Sequence, residues 1–144
     1  MFGQDRNQLR QMYFDAWRKQ QDGELMQPLE VMIAEVIALH PEYHVLLEQS
    51  GDALDKDFLP EMGEANPFMH MGMHIAIREQ LATDRPGGIV LAHKKLLLRL
   101  QDIHEVEHQI MECLGESLWE AQRNNSAPDE SQYLLCVQKR ANRK

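Results

Sequence analysis

Residues 66–82, NPFMHMGMHIAIREQLA, decide the fold of this chain, because they predict a helix from both its start and its periodicity. Asn66 is a good helix-capping residue, and a proline is tolerated in the first turn, where its missing N–H is not needed. The turn residues at 84–88, DRPGG, predict where this helix ends. The stretch therefore predicts a helix over about 67–82.

This helix carries two histidines on its apolar face. At about 100° per residue, His70, His74, Ile77 and Leu81 lie on one side of it. An apolar stripe of this kind normally faces the core of a protein. We therefore expect both imidazoles to be buried, and a buried imidazole needs partners for its ring nitrogens.

Helical patterns also fill the chain on either side of this segment. Glycines and prolines separate blocks with apolar residues at helical spacing, and no strand-like alternation competes with them. Pro41 predicts a break between His40 and His44. The sequence predicts an all-α protein, a single-domain helical bundle of five to seven helices over residues 1–144, with a loop at 50–66 and a basic tail at 141–144. The other helices are expected over 4–21, from 28 to the break, from there to about 49, and over 89–100, 102–123 and 128–140.

Composition excludes several classes of function. The 144 residues carry a formal net charge of −8, which argues against binding of nucleic acid, since that needs a basic surface. No apolar run approaches the length of a membrane-spanning helix. The opening residues 1–11 lack the apolar core of a signal peptide, so we expect a cytoplasmic protein.

The two cysteines support the same expectation. Cys113 and Cys136 do not form a C-x-x-C motif. In a reducing cytoplasm we expect them to stay unpaired, without a disulfide.

The histidines are the most informative residues for function. Six of the seven form three H-x-x-x-H pairs, at 40/44, 70/74 and 104/108. Chance placement predicts roughly a third of one such pair. Residues four apart on a helix lie one turn apart, so two imidazoles at this spacing can bind one metal ion. Pro41 removes that geometry from the first pair, and the other two keep it.

The second and third pairs predict a metal site between two helices. On the helix predicted over 102–123, His104 and His108 share a face with Glu112 near its edge. We predict His70, His74 and His108 as ligands of a divalent ion, with Glu112 as the fourth ligand or as the group that orients one imidazole. Zinc is the first expectation, with iron, nickel or manganese as alternatives.

A catalytic role depends on an open coordination position. Water bound there could ionise near neutral pH and support hydrolysis. Glu107 or His104 would then be the candidate general base.

Two other interpretations need no metal. The histidines could form a buried polar network with Glu112 and Arg78 in a non-enzymatic structural or interaction protein. The acidic surface and the 50–66 loop would then serve a protein partner or a homo-oligomer. Clustered histidines could also form a pH-sensitive switch.

Several stretches of the sequence also resemble those of a known family. The residues that carry the resemblance are Asn66 to Gln80, His104 to Glu116 and Leu118 to Arg123, together with the opening around Arg6 and Trp17. They resemble the proteobacterial family known as domain of unknown function 1841, over nearly the whole chain. The resemblance implies a small bacterial cytoplasmic protein and supplies no activity.

Overall fold

The computed structural model of this chain describes residues 2–48 and 66–143. These residues form seven α-helices and one short 3₁₀ helix and contain no strand, which confirms the all-α prediction. The predicted loop at 50–66 lies outside the described residues except for Asn66. The α-helices are α1 (Phe2–Asp22), α2 (Pro28–Ala38), α3 (His44–Glu48), α4 (Pro67–Thr83), α5 (Ile89–Leu100), α6 (Ile103–Arg123) and α7 (Glu130–Ala141), and the 3₁₀ helix is Pro41–Tyr43.

Side-chain caps set the starts of the helices that matter most for the histidines. The Asn66 side chain accepts hydrogen bonds from the Phe68 and Met69 amides at 3.0 and 3.2 Å, as the sequence predicted for α4. Asp102 does the same for α6, accepting from the His104 and Glu105 amides at 3.0 and 3.2 Å. Each cap satisfies two of the amides that have no partner inside the helix.

The described helices fall into two compact units, 1–75 and 76–144, and α4 contributes its first half to one unit and its second half to the other. The single-domain organisation stays a prediction.

In the first unit, α1, α2, α3 and the start of α4 share one apolar core. The core is made by residues from all four helices: Ala16, Trp17, Ile33, Val36, Ile37, Leu47, Phe68, Met71 and Ile75. Phe68 also packs edge-on against Tyr13, with ring centroids 5.6 Å apart. Burial raises the pKa of the Tyr13 hydroxyl to about 12. The start of α4 is therefore held in the first unit by its apolar face.

In the second unit, α7 is fixed to its neighbours by polar bonds as well as by packing. The Tyr133 hydroxyl donates to the Gln80 amide oxygen at 2.6 Å, and Arg99 donates to the Arg140 carbonyl at 2.9 Å. The buried side chains of this unit include Ile77, Ile89, Leu96, Val106, Ile110, Tyr133 and Val137.

A disulfide between Cys113 on α6 and Cys136 on α7 also belongs to the second unit. The expectation that the two cysteines stay unpaired was therefore wrong. They are 23 positions apart, but their helices are neighbours, and this brings their Cα atoms to 5.8 Å, within the range that a disulfide spans. Sequence spacing alone did not show this proximity.

None of the helices in the described ranges is long and apolar enough to cross a membrane.

Candidate metal centre

Three imidazoles lie close together in the first unit. The rings of His40, His70 and His74 have centroid separations of 5.0 Å (40–70), 4.8 Å (40–74) and 4.9 Å (70–74). His40 and His74 are almost fully buried, at 2% and 0% exposure, and His70 is half-buried. Three imidazoles at such separations, two of them away from water, provide nitrogen donors for a metal ion.

The break after α2 places His40 in this cluster. His40 has φ −125° and ψ 70°, outside helical geometry, and Pro41 begins the 3₁₀ helix. The ring turns back onto α2, and its Nδ1 lies 2.7 Å from the Val36 carbonyl oxygen. Because a carbonyl only accepts, Nδ1 must carry the proton, which leaves the lone pair of the neutral ring on Nε2. This is the arrangement that metal-binding histidines commonly use.

The structure separates His44 from the cluster, as the break at Pro41 predicted for this pair. The His44 Nε2–H donates a hydrogen bond to the Ile37 carbonyl at 2.9 Å, so the side chain satisfies a carbonyl in the last turn of α2. Its ring lies over Trp17, with centroids 4.4 Å apart. His44 therefore has a structural role, whereas His40 belongs to the candidate site. The sequence missed His40 because we required both histidines of a pair to lie on one helix.

The helical pair on α4 has the predicted geometry. The Nε2 atoms of His70 and His74 are 3.3 Å apart, close enough for the N–H of one ring to donate a hydrogen bond to the other ring. His74 is fully buried, as is Ile77 on the same face, and His70 lies nearer to solvent. The prediction that the histidine face of this helix turns inward is confirmed for His74.

The helical pair on α6 lies in the second unit. The rings of His104 and His108 are 4.2 Å apart at their centroids and meet edge-on, at 70°. Both side chains are half-buried. The Asp102 cap fixes the first turn of α6 and with it the backbone position of His104.

Glu107 lies between these two histidines in sequence, but it has a different role. It is 2% exposed, and its Oε1 accepts from Arg78 Nε at 3.1 Å. Its negative charge tends to raise the pKa of His93 on α5, but burial of His93 is the larger effect and lowers that pKa. Arg78, which the network hypothesis placed with the histidines and Glu112, therefore pairs with Glu107.

Glu112 is placed on the surface of α6. Its side chain is 62% exposed and forms an ion pair with Arg140, which also donates to Gln109 at 2.7 Å. The role of Glu112 as a metal ligand stays a prediction that the geometry does not favour.

The first-unit histidines, His40, His70 and His74, form a group with the spacing of a metal-ligand set. In a tetrahedral zinc site with bonds of about 2.0–2.1 Å, ligand nitrogens stand about 3.4 Å apart. The 3.3 Å between the His70 and His74 Nε2 atoms is close to that separation. Two of the predicted ligands, His70 and His74, thus belong to the group. The role of His108, which lies beside His104 on α6, stays a prediction.

These observations define an all-α protein with a cluster of buried and half-buried histidines. The chain belongs to the family described as domain of unknown function (DUF1841), whose family model matches residues 5–139, so the resemblance seen in the sequence is confirmed. No curated protein and no solved structure matches the chain.

Proposed function

We propose that this protein binds one divalent transition-metal ion through His40, His70 and His74. The observation that carries the proposal is the 3.3 Å separation of the His70 and His74 Nε2 atoms, close to the about 3.4 Å between ligand nitrogens in a tetrahedral zinc site. The His40 ring lies beside both, with centroids 5.0 Å from His70 and 4.8 Å from His74. His40 and His74 are buried and His70 is half-buried.

The tautomer of His40 supports the same proposal. Its bond to the Val36 carbonyl keeps Nε2 unprotonated in the neutral ring, and only an unprotonated nitrogen can bind a metal. The carbonyl belongs to the last turn of α2, where the His40 amide bonds to Ile37 instead of continuing the helical pattern. The end of this helix thus orients the ligand.

The donor set indicates which metals fit. Neutral imidazole nitrogens without a thiolate suit zinc, iron or nickel, and zinc accepts tetrahedral coordination without preference from its d electrons. Manganese prefers oxygen ligands, which this group lacks, so the geometry argues against that alternative.

The general-base candidates do not support a hydrolytic role. Glu107 is held by Arg78, and His104 lies beside His108 on α6 in the second unit. Three histidines leave a fourth coordination position, which another protein ligand takes in structural zinc sites and water takes in catalytic ones. On this proposal the metal fixes the end of α2 against the first half of α4.

One observation favours the metal-free alternative, in which the histidines form a polar network. The 3.3 Å separation of the His70 and His74 Nε2 atoms fits a hydrogen bond between two imidazoles. In that case His74 would have a partner without metal, and its replacement would affect stability but not metal content.

Zinc competition separates the two alternatives. Protein without a histidine tag is stripped with a chelator, and zinc is then titrated against a chromogenic chelator of known affinity. The variant His74→Gln should weaken binding by more than the about 10–100-fold that outer-shell changes cost. The variant His70→Gln should weaken binding as His74→Gln does. The control is His44→Gln, which removes a bond outside the group.

Three results would contradict the proposal. They are a wild-type protein that does not compete for zinc, a His74→Gln variant that binds like the wild type, and a His44→Gln variant that loses as much affinity as His74→Gln. The first two would favour the metal-free network, because there His74 serves only another side chain.

A further inference from the structure

A cavity of about 300 Å³ lies in the second unit beside the disulfide. It is lined by one face of α6 and one face of α7, and both Cys113 and Cys136 contribute to its wall. The disulfide thus borders a space large enough for a small molecule. The cavity contains no residue of the histidine group, so its chemistry is independent of metal binding.

The two cysteines differ in their accessibility. Cys113 is 1% exposed, whereas Cys136 is half-buried. Thiol exchange requires a thiolate to reach one sulfur of the disulfide, and the more accessible sulfur is attacked. A molecule in the cavity would therefore react at Cys136 and release Cys113 as the leaving group.

The charged side chains around the cavity balance one another. Arg140 is paired with Glu112, which leaves Lys139 and Arg143 against Glu116 and Glu120 of α6. The lining therefore favours neither an anionic nor a cationic molecule, and a small thiol of either kind can enter.

We infer that the Cys113–Cys136 disulfide is a thiol-exchange site that takes small thiols at Cys136. The thiolate of the incoming small thiol attacks Cys136 Sγ, a new S–S bond forms there, and the bond to Cys113 breaks. The electron pair leaves with Cys113 Sγ, which takes a proton from solvent. A second small-molecule thiolate then attacks the small-molecule sulfur of the mixed disulfide and releases Cys136, which becomes a thiol. In total, two small thiols are oxidised to one disulfide, and the protein disulfide gains two electrons and two protons.

Trapping of the mixed disulfide tests the site of attack. The variants Cys113→Ser and Cys136→Ser are incubated with oxidised glutathione, the disulfide of a small thiol, and intact mass is measured. Cys113→Ser should gain one glutathione on Cys136, whereas Cys136→Ser, with its thiol buried, should gain little. Equal modification of both variants, or of neither, would overturn the inference.

Reduction of the wild-type disulfide tests the cavity without depending on the folding of a cysteine variant. Its reduction by glutathione should be faster than global unfolding measured in the same buffer. A rate equal to that of unfolding would show that the disulfide is closed to thiols in the folded protein.

Discussion

Reduction of the Cys113–Cys136 disulfide should cost a large part of the stability of this protein. The two cysteines are 23 positions apart, and in the chain-entropy treatment a cross-link of that span contributes about 3 kcal/mol to the free energy of unfolding at 25 °C. For a protein of this size, that loss lowers the melting temperature by about 6–12 °C.

The reduced protein should still be folded at room temperature. Tyr133 and Val137 of α7 are buried, and the Tyr133 hydroxyl bond to Gln80 at 2.6 Å does not involve the cysteines. We therefore expect the helical circular-dichroism signal to be unchanged by reductant at 25 °C, while the unfolding midpoint in urea falls.

The assay is urea denaturation followed by circular dichroism, with and without a phosphine reductant. The matched control is the double variant Cys113→Ala/Cys136→Ala, whose midpoint should not respond to reductant. A loss below about 1 kcal/mol on reduction of the wild type would refute the reasoning, because the cross-link would then constrain the unfolded state very little. A loss of helical signal without urea would contradict the packing of α7.

Helix caps and shifted pKa values support three further predictions. Asp102→Ala should lower the free energy of unfolding by about 1 kcal/mol in urea titration, because the α6 amides lose their acceptor; an unchanged midpoint would contradict this. The hydrogen bond from Lys19 is the largest cause that lowers the pKa of Glu30, so the ionised Glu30 stabilises the folded protein at neutral pH, and this stabilisation is lost as pH falls through the lowered pKa. Glu30→Gln should therefore have a lower melting temperature than the wild type at pH 7 and the same melting temperature in acid. A difference that persists in acid would be inconsistent with the ion pair. Burial raises the pKa of Tyr13 to about 12, so the neutral hydroxyl stabilises the folded protein below about pH 10, and this stabilisation is lost as pH rises toward 12. Absorbance at 295 nm should show a tyrosine that ionises near pH 12, and this transition should be missing in Tyr13→Phe.

The sequence predicted most helices because the local signals agree with the tertiary fold. The starts at Asn66 and Asp102 use side-chain caps that act over three residues, and Gly23 takes the positive φ of +69° that ends a helix. Such signals depend on neighbours in the chain, so one sequence suffices to see them.

The candidate site was predicted only in part, because the rest of it depends on packing between helices. His70 and His74 could be found from helical phase alone. His40 could not, since its direction is set by the carbonyl of Val36 at a helix end. Glu112 had the correct phase at the edge of the histidine face, but Arg140 of α7 draws it toward the surface. The disulfide partner of Cys113 was missed for the same reason.

Metal content is the measurement that tests the central claim most directly. Protein is expressed without a tag, purified without chelator, and analysed by plasma mass spectrometry beside the variants His74→Gln and His44→Gln. We expect about one ion per chain in the wild type and in His44→Gln, and a substoichiometric amount in His74→Gln. Less than about 0.2 ions per wild-type chain, with a melting temperature that chelator does not change, would contradict metal binding by this histidine group.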